Sequence, residues 1–213
     1  GYRIETKTCC HPGKDVLAFK VKSELFAKNR LSINIRFPYG SPDMTAADWN
    51  NDQKHNTELV SSGDNFVYLH RTLDKDEYYV KIALSKGGKV ERTGRNSFAI
   101  DMEPERNELE FMCWFSPKEI GENVPSFSDV IAGSRVYWQS YWNNGGIIDF
   151  KGSTDKRAHE LERRIILSQY LMAIQCAGSL PPQETGLTFN SWYGKFHLEM
   201  HWWHGVHFPL WGR

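Results

Sequence analysis

No apolar run in these 213 residues approaches the roughly 20 that a membrane-spanning helix needs, so no membrane partner is expected. Neither sign of charge dominates, because 26 Lys and Arg stand against 26 Asp and Glu with no block of one sign. Counterion release needs a concentrated basic surface, so a nucleic-acid partner is not expected, nor is attraction to an anionic membrane. Cysteine is scarce. Cys9, Cys10, Cys113 and Cys176 are too few and too scattered for a disulfide framework, and no Cys-x-x-Cys suggests zinc. In an extended strand the adjacent Cys9 and Cys10 would point to opposite faces, which makes at least one of them core packing. Tryptophan is sparse early on: Trp49 and Trp114 are the only two in the first 130 residues, whereas Trp138, Trp142, Trp192, Trp202, Trp203 and Trp211 crowd towards the C-terminus.

What is plentiful excludes disorder, since 40% hydrophobic and 14% aromatic residues can build a core. Residues 15–22, 31–37, 66–71, 78–84 and 108–115 are short, β-rich and mostly alternate apolar with polar side chains. Pro38 to Pro42 and Gly87-Gly88 punctuate them as turns. With no helical pattern between these strands, residues 1–115 are expected to form an antiparallel β-sandwich rather than βαβ units. The Pro, Gly and charge content of 116–126 reads as a linker, within a connecting region of 116–153 that holds one helix. That helix is expected over 128–142, closed by Asn143-Asn144-Gly145-Gly146. A second helix is expected over 154–177, with Ser153 or Thr154 as its cap and Gly178 beyond its end. Its first half is highly charged and its second half, from Ile165, is apolar nearly all round. A helix of that kind finishes buried on every side, which implies more protein around it than these residues supply. The expectation is a fragment of a larger protein.

The densest chemistry lies in 181–208, where hydrogen-bonding groups alternate with flat aromatic surfaces. Sugars suit that mixture, because their C–H faces stack on indole while their hydroxyls need paired donors and acceptors. Core filling is the plain alternative for any single Trp. His197, His201, His204 and His207 are spaced by 4, 3 and 3, so on a continuous helix they would share one face and a metal site has to be weighed. Against it, His-Glu-x-x-His is absent and Gly205 weakens a continued helix, so no metal is expected. Glu184 and Glu199 are the only carboxylates after Glu162, hence the only local candidates for glycosidase acid/base work, although either could equally bind hydroxyls or pair with Arg.

The runs Leu161-Glu162-Arg163-Arg164 to Ser168-Gln169-Tyr170-Leu171, Gly178-Ser179-Leu180-Pro181-Pro182-Gln183 and Gly194-Lys195-Phe196-His197-Leu198-Glu199-Met200-His201-Trp202-Trp203 resemble the start of the catalytic barrel in six-hairpin glycosidases. They are most similar to the 1,2-α-L-fucosidase family and to the maltose and trehalose phosphorylase family. The motifs cover about residues 155–213, and the order of regions is similar over the whole chain. The resemblance implies a β-sandwich, a linker with helices, and then the first helices of a six-hairpin α/α barrel in 154–213, left incomplete. It further implies a glycoside hydrolase acting on a glycan without a cofactor, or a glycoside phosphorylase. By carry-over His197 and Glu199 would contact the sugar in the subsite next to the scissile bond, with Lys195 nearby and Trp202 or Trp203 as stacking walls; Trp192 and Glu184 are further candidate substrate-binding residues. The general acid would come from a later hairpin beyond Arg213, so the remainder of the barrel would be a partner of this chain. Two departures stand out. Where the fucosidases carry Asn-x-Asn to position water, this chain has Lys195 and His197, and where the phosphorylases carry Trp-Asp-x-Glu it has Phe196-His197-Leu198-Glu199. Enzymes of this kind are commonly exported, which implies a periplasmic or extracellular location. A different class of reading is a non-catalytic carbohydrate-binding β-sandwich using Trp49, Tyr78 and Tyr79 as an exposed platform.

Overall fold

The computed structural model describes residues 1–121, 123–176, 178–187 and 192–213. About a third of the chain is strand, arranged as antiparallel sheets, and three α-helices follow. Two compact units emerge: Gly1–Tyr39 with Trp49–Gln139, and Gly40–Asp48 with Ser140–Arg213.

In the first unit a six-stranded sheet runs in the order β1 (Glu5–Cys10), β2 (Val16–Lys22), β11 (Glu108–Ser116), β8 (Asp76–Leu84), β7 (Phe66–Leu73), β6 (His55–Gly63). A three-stranded sheet runs β3 (Ile33–Arg36), β10 (Ser97–Met102), β9 (Gly88–Gly94); the two-residue strands β4 (Tyr39–Gly40) and β5 (Ala47–Asp48) pair with each other at the two ends of the Gly40–Asp48 segment, which belongs to the second unit. Every other residue of β7 is buried, with Val67, Leu69 and Arg71 inward, and its antiparallel register sets Leu69 opposite Val80 of β8. These side chains meet Phe98, Ile100 and Met102 of β10 in one core, so the two sheets make a sandwich. Burial of such aliphatic and aromatic side chains, at roughly 1.5–3 kcal/mol each, is the main force holding the layers together.

The outer face of the six-stranded sheet is apolar where Val16, Ala18 and Met112 lie side by side. Helix α1 (Phe127–Asn143) covers that patch with Phe127 and Val130. Its start is capped by Ser126, whose hydroxyl accepts from the Asp129 N–H at 3.2 Å while the Asp129 carboxylate accepts from the Ser126 N–H at 3.1 Å. Cys9 packs against this patch and Cys10 is exposed, as opposite faces of a strand require. Lys20 bridges Glu108 and Glu110 at 2.9 Å each, and these hydrogen bonds raise its pKa to about 12.

Several expectations shift in the structure. Six strands lie outside the segments expected from the sequence: β1, β6 and β9 are largely polar edge strands, β4 and β5 are only two residues long with β4 inside the expected Pro38 to Pro42 turn, and β10 lacks alternation because Phe98, Ala99 and Ile100 are all buried. Gly88, expected in a turn, opens β9. In the second unit the long helix, α2, spans Ala158–Gln175 rather than starting at Ser153 or Thr154. The Ser153 hydroxyl and Asp155 carboxylate instead accept from the N–H groups of Asp155 and Arg157, at 3.3 and 2.8 Å, and these local turns postpone the helix. Its expected end at Ala177 lies outside the described residues. Glu160 pairs with Arg163 and Arg164 on the exposed first turns, and their hydrogen bonds hold its carboxyl down to about 2. Burial on every side is not observed within this chain: Gln169 is the one buried residue of α2, and Leu167, Tyr170, Leu171 and Ile174 are exposed. Among the described residues no helix is long and apolar enough to cross a membrane.

Candidate functional site

The second unit brings three of the sequence-derived site residues together. A 3-10 turn (Trp192–Gly194) leads into helix α3 (Leu198–Gly205). Trp192 and Tyr193 both take left-handed backbone angles, φ 52° and 66°, which turn the chain sharply before the site. The Tyr193 N–H donates to the Met44 carbonyl at 2.9 Å, and the Lys195 carbonyl accepts from the Glu184 N–H at 3.0 Å. That last bond ties the turn that carries Glu184 to the segment that carries Lys195. His197 sits at the N-cap of α3 with extended backbone, so its ring is presented ahead of the helix.

The ring lies between two carboxylates. Its Nδ1 is 3.5 Å from Glu184 Oε2, and its Nε2 is 3.9 Å from Glu199 Oε2. Glu184 is the more buried of the two acids, with its side chain 20% exposed against 70% for Glu199. Glu184 Oε2 is buried and accepts no hydrogen bond among the described residues. A carboxylate oxygen in that condition is costly and is suited to a hydroxyl donor. Trp202 and Trp203, each 64% exposed, follow on α3, and Trp192 is also exposed. Lys195 contributes mainly through its backbone, and its Nζ lies 5.5 Å from the Tyr193 ring centre.

Behind α3 is a cavity of about 520 Å³, walled by Ile165, Met172, Gln175, Trp203, His204 and Trp211. Gly186 forms part of this wall with φ 74°, and a Cβ there would fall 2.9 Å from Gln175 Oε1. The Leu187 N–H donates to the Gln175 carbonyl at 2.8 Å, so loop and helix are tied at that point. Trp211 Nε1–H donates to His207 Nδ1 at 2.9 Å, which leaves the neutral imidazole's proton on Nε2. This cavity was not anticipated from the sequence, because α2 contributes residues that read as plain helix face. The tight Pro-Pro-Gln-Glu-Thr-Gly turn was the available signal.

The four-histidine face does not form. Only His201 and His204 lie on α3, whereas His197 precedes it and His207 follows it. Among the described residues no group of three His, Cys, Asp or Glu side chains could hold a metal ion. Residues 188–191, part of the aromatic-rich segment, lie outside the described residues.

The sandwich carries its own polar centre. Arg71 is 0% exposed, with its guanidinium carbon 4.7 Å from the Phe37 ring centre. Its Nε donates to the Tyr78 hydroxyl at 3.2 Å, and its two Nη1 hydrogens are shared among Thr57 Oγ1, His55 Nδ1 and Asn96 Oδ1 at 2.8–2.9 Å. Of the proposed sandwich platform, Trp49 is 46% exposed with Arg36 over its ring, Tyr78 is half-buried on Arg71, and Tyr79 stacks on His70 at 4.7 Å. No known protein-family model and no curated protein matches this chain.

Proposed function

We propose that the chain is the β-sandwich and the opening helical part of a glycoside hydrolase that acts on a glycan. The observation that carries this reading is the convergence of Glu184, His197 and Glu199 beside exposed Trp202 and Trp203. Two carboxylates and an imidazole supply hydroxyl acceptors and a donor, and indole faces supply the apolar wall that a sugar ring needs. On this reading α2 and α3 are the first helices of a six-hairpin α/α barrel, and the exposed apolar side chains of α2 face further hairpins. In the complete enzyme a carboxylic acid from a later hairpin, beyond Arg213, protonates the glycosidic oxygen. A base-activated water then attacks the anomeric carbon, or phosphate does so in a phosphorylase. His197, Glu199 and Glu184 bind and orient the sugar next to the cleaved bond, with Lys195 and Trp192 bordering it. A periplasmic or extracellular location accords with a glycan substrate.

A second reading, a non-catalytic sugar-binding sandwich, is favoured by one observation, the exposure of Trp49. The test is binding of an oligosaccharide panel, followed by tryptophan fluorescence and calorimetry, together with hydrolysis of aryl glycosides by the full-length protein. Glu184→Gln and His197→Ala are expected to weaken binding at least tenfold while Trp49→Ala leaves it unchanged. Loss of binding in Trp49→Ala alone would transfer the function to the sandwich, and no binding to any glycan would sink both readings.

A further inference from the structure

The segment Gly40–Asp48 groups with the second unit, while the chain on either side of it, through Tyr39 and from Trp49 onward, belongs to the sandwich. Each of its feet is held in part by the polar centre around Arg71 and in part by neighbouring bonds of the sandwich. Arg71 Nη2 donates to the Pro38 carbonyl at 3.4 Å, and the Tyr39 hydroxyl donates to Asp74 at 2.9 Å. On the other side Arg36 donates to the Trp49 carbonyl, and Asn96 Nδ2 donates to the Asp52 carbonyl and carboxylate at 2.8 and 3.1 Å. Within this centre Arg71 can only donate, so His55 Nδ1, 2.9 Å from Nη1, must accept and cannot carry a proton.

We propose that the buried His55–Arg71 pair is an acid-sensitive latch: when His55 takes up a proton, two buried cations oppose each other, this end of the sandwich opens, and both feet of the Gly40–Asp48 segment are released. The charges facing His55 favour the neutral ring. Arg71 of β7, Arg95 before β10 and Arg36 of β3 all repel a second positive charge, and Arg95 Nε also donates to the His55 carbonyl at 3.0 Å. The opposing group is Asp52, whose Oδ1 is 3.8 Å from His55 Nε2 but is partly exposed and already accepts from Asn96. Tyr39 lies against the imidazole with ring centres 6.0 Å apart, which leaves little room for water. Burial first, and the Arg71 charge second, push the His55 pKa below its ordinary 6.5. As pH falls below 6.5 the unfolded chain therefore takes up a proton that the folded chain refuses. Stability from this site is complete above 6.5 and is lost progressively below it.

Thermal melts of the chain between pH 7.5 and 4.5 test the latch against His55→Asn, whose Oδ1 keeps the acceptor facing Arg71 without a titrating group. Wild type is expected to lose about 3–5 °C per pH unit more than the variant once pH falls below 6.5, given one proton and a chain of this size. Amide protection at Phe37, Tyr39 and residues 49–54 is expected to fall over the same range in wild type only. Parallel melting curves for the two proteins would overturn the proposal. Should His55→Asn not fold, nitrogen-detected imidazole titration of wild type decides: a neutral Nε2–H ring persisting below pH 6.5 supports the latch, and protonation at 6.5 or above refutes it.

Discussion

Replacing Arg71 with Met is the sharpest probe of what holds the sandwich together. The side chain is fully buried and no carboxylate is among its direct hydrogen-bond partners, so its charge is stabilised by neutral oxygens, one imidazole nitrogen and two aromatic rings. In Arg71→Met, Thr57 and Asn96 keep each other, because the Thr57 hydroxyl donates to Asn96 Oδ1 at 2.8 Å. His55 Nδ1 and the Pro38 carbonyl lose their guanidinium donor. Stranding a buried acceptor costs about 1–3 kcal/mol, and relief of the buried charge returns part of that. The expected net loss is about 2–4 kcal/mol, a large share of the roughly 5–15 kcal/mol that a domain possesses. Urea denaturation should show a lower midpoint at unchanged slope. Arg71→Lys should lose at least as much, since a charge stays buried while the fork reaching Tyr78 and Pro38 disappears. A Met variant as stable as wild type, or more so, would show that the buried charge costs as much as its hydrogen bonds return, and the account of this network would be wrong.

The Gln169 carboxamide is 0% exposed and both of its polar atoms lack a hydrogen-bond partner among the described residues. Gln169→Met, nearly isosteric and apolar, should therefore stabilise the chain by about 1 kcal/mol, seen as a melting temperature higher by about 2–4 °C; a fall in melting temperature would mean that the amide is engaged. Burial raises the Cys113 thiol to about 12, whereas Cys10 is accessible, its own thiol also raised, by partial burial and then by the neighbouring Cys9 and Asp15. At pH 8 a thiol reagent should label Cys10 in the native protein and reach Cys113 only after denaturation, and mass mapping that found Cys113 labelled in the folded chain would contradict its placement in the core.

The sandwich was legible where strands are buried on one face. β7 and β8 announce themselves because Val67, Leu69, Val80 and Ile82 alternate with outward residues, and α1 because the Asn144-Gly145-Gly146 turn, with Gly145 at φ 81°, ends the helix just after Asn143. Edge strands escaped notice because β1 and β9 gain their order from a neighbour's ladder rather than from their own apolar pattern. The four histidines do not share a face, since a spacing of 4, 3 and 3 is a shared face only on unbroken helix, and α3 starts after His197 and stops before His207.

By composition and local pattern alone, the amino-acid sequence determined an antiparallel β-rich first part, helices after it, and a concentration of aromatic, histidine and carboxylate groups near the C-terminus. Those features depend on neighbours within a few residues, which is the range over which periodicity and turn chemistry act. Tertiary structure alone decided that Glu184 lies against His197, that Gln175 and Trp211 share a cavity, and that Arg71 is buried among His55, Thr57 and Asn96. Each of those contacts joins residues distant along the chain. Their meeting depends on how sheets and loops close over one another, a long-range choice that no local pattern encodes.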